Sequence, residues 1–315
     1  MYLLMRILRS SWLELPRLSN IVHKMGKLTP SATTVKHKIL KLTPLNCQFN
    51  TSTYLLLTSG PKVTDSRCLF PWFVQIGSLK DNTYRYQKID YQLPRHGFAR
   101  DKVFLVEEQT DNKATFLLIQ DESTLANYPF EFELRLIYEI VQNQLNVTYQ
   151  VHNPAANQLW FSVGGHPAFH VPFDKERTYN DYTLNFNKEE ELWRWPLSPD
   201  GLIETQPTLV STTNSLALTK SLFYEDALVF KHLNATAVTL SSVKGKNSLT
   251  FGFSGFPYMG IWAAKDADFV CIEPWCGIAD SVDSTQELTQ KEGIICLESN
   301  QTFERTWSVS IAEKD

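Results

Sequence analysis

From residue 84 to its end the chain is a succession of short runs in which apolar and polar residues alternate. Each run is closed by Asn, Asp, Gly or Pro. Phe130–Tyr138 (FEFELRLIY) and Gln144–His152 (QLNVTYQVH) are the clearest. A period of two sends successive side chains to opposite faces, the pattern of a strand with one face buried. The same logic predicts strands at Tyr84–Tyr91, Lys102–Glu107, Thr115–Gln120, Leu159–Val163, Tyr182–Phe186 and Ala227–Phe230. It also predicts them at Ala237–Leu240, Leu249–Phe253, Phe269–Ile272, Gly293–Leu297 and Gln301–Ile311. Helical periodicity is scarce and no repeat is found. The fold class expected is therefore all-β, a large antiparallel β-sandwich.

The first 53 residues lack this alternation and carry little turn chemistry. They are read as a divergent or extended N-terminal segment, and residues 54–315 as a single sandwich domain. Residues 1–50 hold eight Lys or Arg and one acid, Glu14. Such a basic stretch suits an arm, a targeting peptide or a partner site, and the first 27 residues have the composition of a mitochondrial transit peptide.

The net charge of −4 argues against a dedicated nucleic-acid binder. No run of about 18 apolar residues occurs, so no membrane helix is expected. The five cysteines (Cys47, Cys68, Cys271, Cys276 and Cys296) are odd in number and form no CxxC pair. They read as reduced thiols in a cytoplasmic protein. A chain of this length can bury roughly three quarters of its unfolded surface, so disulfides or metals are not needed for folding.

Three clusters place catalytic residue types among glycines and aromatics. In Leu93-Pro94-Arg95-His96-Gly97-Phe98-Ala99-Arg100-Asp101, two arginines and a histidine flank a glycine. The planar guanidinium can hold sugar hydroxyls or a phosphate. In Phe161-Ser162-Val163-Gly164-Gly165-His166-Pro167-Ala168-Phe169-His170, paired glycines let a strand end bend and Pro167 fixes the direction after His166. In Phe269-Val270-Cys271-Ile272-Glu273-Pro274-Trp275-Cys276, an apolar strand runs into Glu273. Partial desolvation there raises a carboxyl pKa and makes a better base near neutral pH. Trp275 offers an apolar face for a sugar ring. On residue type alone each of these could equally be structural.

Together the strings LPRHGFARD, GGHPAF, FPYMGIW and CIEPWCGIAD resemble the aldose 1-epimerase superfamily, most closely its bacterial lactose-operon-associated, galactose-mutarotase-like branch. Leu69-Phe70-Pro71, Gly77-Ser78-Leu79-Lys80 and Phe223-Tyr224-Glu225-Asp226-Ala227-Leu228 fit the same pattern, and the likeness spans about residues 69–310. Ser78 stands where the better-known galactose mutarotases carry an arginine. The resemblance implies a sandwich with a sugar cleft on a concave face. It implies that His166 protonates the ring oxygen and that Glu273 removes the anomeric hydroxyl proton. It further implies that His96 contacts substrate near the ring, that Asp226 binds substrate, and that Arg100 does so as in the hexose-6-phosphate branch.

Mutarotation takes one proton off O1 and puts one onto O5, so an acid and a base on opposite sides of the sugar suffice, with no cofactor. The expected activity is interconversion of the α and β anomers of a free hexose such as galactose or glucose. The expected partner is a small sugar alone, with neither nucleic acid nor membrane, and the protein a monomer or homodimer. Two alternatives stay open: a non-catalytic carbohydrate-binding protein, and a hexose-6-phosphate mutarotase using Arg95 and Arg100. A metal centre from His96, His166 and Glu273 is not expected, because no HxH or HExxH spacing supports one.

Overall fold

The computed structural model describes residues 71–174 and 176–313. The predicted N-terminal segment 1–53, the start of the sandwich domain at residue 54, and Cys47 and Cys68 lie outside these residues. In chain order the strands begin with β1 (Trp72–Val74), β2 (Thr83–Tyr86), β3 (Ile89–Gln92), β4 (Leu105–Gln109), β5 (Lys113–Ile119), β6 (Glu133–Val141) and β7 (Gln144–His152). They continue with β8 (Leu159–Gly164), β9 (Ala168–His170), β10 (Tyr182–Phe186), β11 (Leu192–Trp195), β12 (Thr208–Ser211) and β13 (Ser215–Ala217). They end with β14 (Leu228–Lys231), β15 (Ala237–Ser242), β16 (Asn247–Gly252), β17 (Tyr258–Trp262), β18 (Phe269–Cys276), β19 (Ile295–Leu297) and β20 (Thr302–Glu313). Among the described residues helix is confined to the α-turn Glu122–Leu125 and short 3-10 turns. None of these is long and apolar enough to cross a membrane.

The strands form two nine-stranded sheets and one hairpin, and all paired strands run antiparallel. One sheet has the order β13-β10-β15-β16-β20-β7-β6-β5-β4. The other has the order β1-β8-β18-β17-β14-β11-β12, with β19 added to β8 and β9 to β18. Alternation decides the inner face of the first. In β7, Val147, Tyr149 and Val151 are buried, and in β6 so are Leu134 and Leu136. They join one core cluster with Phe161, Ile272 and Val270 from the opposing sheet, which makes the molecule a sandwich as expected.

The second sheet departs from simple alternation. Every residue of β18 is buried. Its far face carries a separate apolar cluster of Trp72, Ile76, Ile203, Val229, Tyr258 and Trp275. A strand buried on both faces reads as a continuous apolar run, which is why FVCI carries no period.

Most predicted strand ends shift by a few residues, Phe130–Tyr138 to Glu133–Val141 and Lys102–Glu107 to Leu105–Gln109 among them, and two changes have a clear cause. The run Tyr84–Tyr91 is a hairpin, because Gln87 and Lys88 adopt φ of 51° and 67° and turn the chain without the usual Asn or Gly. The strand expected to stop at Ile272 continues through Glu273 and Pro274 to Cys276.

Candidate active site

The continuation of β18 past its proline has a simple cause. Trp275 pairs with Gly164 on β8, and Cys271 pairs with Ala168 on β9. Both pairs belong to one register, so His166 falls directly opposite Glu273. Gly165 N–H donates to Pro274 O at 3.1 Å, and Ile272 N–H donates to Pro167 O at 3.2 Å. In each of those two pairs the reciprocal bond is missing, because proline has no N–H. The pair between them, His166 and Glu273, is a non-hydrogen-bonded pair, the kind in which facing side chains stand closest. Pro167 and Pro274 thus bracket the site on both strands.

The side chains meet. His166 Nε2 lies 3.2 Å from Glu273 Oε1, with the carboxylate side chain 3% exposed and the imidazole 18%. The two side chains are in direct contact. A hemiacetal bears O1 and O5 on the same carbon, so a pair in contact reaches both. Burial pushes the Glu273 pKa well above the usual carboxylate range. The Arg95 guanidinium and the Trp275 indole oppose that rise, and the Asp226 charge adds to it.

His166 is held between two indoles. Trp72 meets it edge-on at 5.0 Å and Trp262 at 5.6 Å between ring centroids. Trp72 also stacks on His96 at 3.5 Å and leans on Trp275 at 5.9 Å. His96 has φ of 70° and exchanges two bonds with Gly77. His96 N–H donates to Gly77 O at 2.9 Å, and Gly77 N–H donates to His96 Nδ1 at 3.1 Å. Nδ1 is therefore an acceptor, which leaves the proton of the neutral ring on Nε2. Burial first, then the charges of Arg95, Arg100 and His166, push the His96 pKa down to about 2. His96 is thus a fixed neutral donor and cannot serve as an acid that titrates near neutrality.

The remaining predicted residues divide. Asp226, with φ of 78°, accepts from Ala227 N–H at 2.7 Å and acts on Glu273 through its charge. Trp275 is 6% exposed and packs in the apolar cluster. It forms a floor beneath Glu273, not the open stacking face expected. Arg100 braces the His96 loop: its Nη2 donates to Arg95 O at 3.1 Å, and its Nε lies 3.7 Å from Asp101. The guanidinium that acts on the pair is that of Arg95. Ser78 is buried, and its carbonyl accepts from Asp280 N–H at 2.9 Å.

Sequence reasoning missed Trp72, Trp262 and Gly260 as parts of this site. The last two sit in the string FPYMGIW on β17, where Gly260 pairs with Glu273. A Cβ on Gly260 would lie 2.6 Å from Trp275 Cη2 and 3.1 Å from Glu273 Oε2. Gly260→Ala is therefore expected to push both side chains out of place. The expected cost is about 1–3 kcal/mol of stability, and, if Glu273 is the base of a sugar-converting site, its displacement should cost on the order of 10²-fold in turnover. Chemical denaturation and anomer-exchange rates measured on one preparation check both.

Comparisons with known proteins bear on the family and the fold. The family model for aldose 1-epimerase matches residues 38–296. A galactose mutarotase related enzyme from Lactobacillus acidophilus is similar at 33% identity, over 78% of this chain and 83% of that one, with a TM-score of 0.73. A galactose mutarotase-like protein from Lactobacillus casei is similar at 28% identity, over 76% and 84%, with a TM-score of 0.72. The plasmid-encoded protein LacX of Lactococcus lactis is 30% identical over 245 residues, 75% of this chain and 82% of that protein. With a family match over most of its length and the fold of these relatives, the chain belongs to the aldose 1-epimerase family.

Proposed function

We propose that the protein is a cytoplasmic mutarotase that interconverts the α and β anomers of a free hexose such as galactose or glucose, with His166 and Glu273 as its acid–base pair. The observation that carries the proposal is the contact of these two side chains at 3.2 Å, across a strand pair opened by two prolines. Glu273 takes the proton from O1 while protonated His166 gives one to O5. The C1–O5 bond then breaks, leaving an open-chain aldehyde. After rotation about C1–C2, O5 adds back to C1 on the other face, His166 recovers its proton from O5, and Glu273 returns its proton to O1. No atom or electron is gained or lost. His96, Arg95 and Asp226 hold hydroxyls around the ring through a neutral donor, a cation and an acceptor. Positioned proton transfer of this kind contributes about 10² to 10⁴ in rate.

Saturation-transfer NMR on α and β galactose, glucose and their 6-phosphates reads the exchange directly. Exchange of a free hexose well above the solvent rate is the expected result. Exchange of the phosphates alone would move the substrate to a hexose 6-phosphate. Binding without exchange of any sugar would make the protein a carbohydrate-binding module. The pH profile has a sign. The base must be ionised, and its pKa is raised. Activity is therefore lost, as pH falls, at a value above the ordinary carboxylate range, and an acid limb near pH 4 would contradict the role of Glu273.

A further inference from the structure

Cys271 stands two residues before Glu273 on β18, and a strand turns residues so spaced to the same face. A ring nitrogen of His166, the Cys271 sulfur and a Glu273 oxygen all lie within 4.8 Å of one another. Cys271 is 0% exposed and Glu273 2%. One imidazole, one thiol and one carboxylate form a mixed N, S, O donor set. Magnesium and calcium prefer oxygen alone, whereas zinc and cobalt accept all three donors. Tetrahedral zinc holds nitrogen and oxygen at about 2.0–2.2 Å and thiolate at about 2.3 Å, so donors grouped this closely can close on one ion with small side-chain adjustments. No spacing motif announces the set, because His166 reaches it from the link between β8 and β9.

We propose that His166, Cys271 and Glu273 form a binding site for a zinc-type divalent cation, and that its occupancy silences the acid–base pair. The cation takes the imidazole lone pair and the carboxylate oxygen that proton transfer requires. Cys271 releases its thiol proton to solvent and binds as the thiolate, so affinity falls as pH falls. The binding half stands on the donor geometry, and only the inhibitory half rests on the proposed mutarotase activity.

The test titrates the full-length protein, first stripped with a chelator, with Co²⁺ and Zn²⁺. Stoichiometric binding is expected, with a near-ultraviolet thiolate-to-cobalt charge-transfer band. Cys271→Ala and the isosteric Cys271→Ser are expected to lose that band and to weaken binding at least about tenfold, and both are expected to keep wild-type anomer exchange in chelator. Zinc should stop wild-type exchange reversibly, and the Cys271 variants should need at least about tenfold more. Each figure corresponds to roughly 1.4 kcal/mol. The absence of stoichiometric binding, or an unchanged cobalt spectrum in both variants, overturns the site. Undiminished exchange at saturating zinc overturns the inhibition. Binding as expected in a protein that exchanges no sugar even in chelator upholds the site and defeats the mutarotase reading instead.

Discussion

Replacing Glu273 by glutamine is expected to bring anomer exchange down about 10² to 10⁴-fold while raising the melting temperature. The two effects share one origin. Glu273 is 2% exposed, and burial holds its pKa well above the usual carboxylate range. A folded state that binds this proton more tightly than the unfolded chain loses stability as pH rises from the ordinary carboxylate pKa toward the raised one. Near neutrality the native protein carries that cost in full or in part. Glutamine keeps the shape and removes the charge, so the variant should melt a few degrees higher. Below the ordinary carboxylate pKa both proteins are neutral at this position, and the gain should vanish. Scanning calorimetry at neutral and acid pH, with exchange measured by NMR on the same samples, checks the pair of outcomes. A variant that turns over at the native rate removes Glu273 from the mechanism.

The second large effect concerns stability alone. Lys291 Nζ donates to Asp280 Oδ1 at 2.6 Å, and both side chains are 3% exposed. Burial draws the Lys291 pKa down while the Asp280 carboxylate pulls it back up. Asp280 also holds three segments together. Its Oδ2 accepts from Lys80 N–H at 3.0 Å, its N–H donates to Ser78 O, and its carbonyl accepts from Ile203 N–H. Lys291→Met leaves a carboxylate in the interior without its cation, and breaking one side of a buried pair costs about 3–5 kcal/mol. Adding Asp280→Asn removes the stranded charge and keeps an acceptor for Lys80, so the double variant should recover much of the loss. Urea titration of both variants decides it. Equal losses in the two would show that volume rather than charge sets the cost.

The fold was legible where one face of a strand is wet. Gln144–His152 and Tyr182–Phe186 were located to the residue, because each alternates and ends in a turn. Strands β1, β12 and β13 escaped because three or four residues give no period to read. The far end of β18 escaped because Pro274 is an ordinary stop signal for a strand, and only its partner shows why it is tolerated here. His166 and Glu273 were recognised through the order of motifs. Their contact was not readable, because strand register links positions far apart in the chain. The same holds for Trp72 and Gly260, whose roles exist only once β1, β8, β17 and β18 lie side by side. Arg100 and Arg95 show how much a motif leaves open. Both looked like ligand-binding cations, but one is tied to its own loop.

Pro167 and Pro274, which flank the His166–Glu273 pair on opposite strands, have a mechanical consequence. A sheet resists separation of its strands through paired bonds, and here two successive pairs keep one bond each. The sheet therefore has a compliant seam here, and it lies under the two side chains proposed to follow O1 and O5 as the ring opens and closes. In the proposed reaction, the paired bonds on either side fix which atoms meet, while slack at this rung lets the distance between the two side chains change.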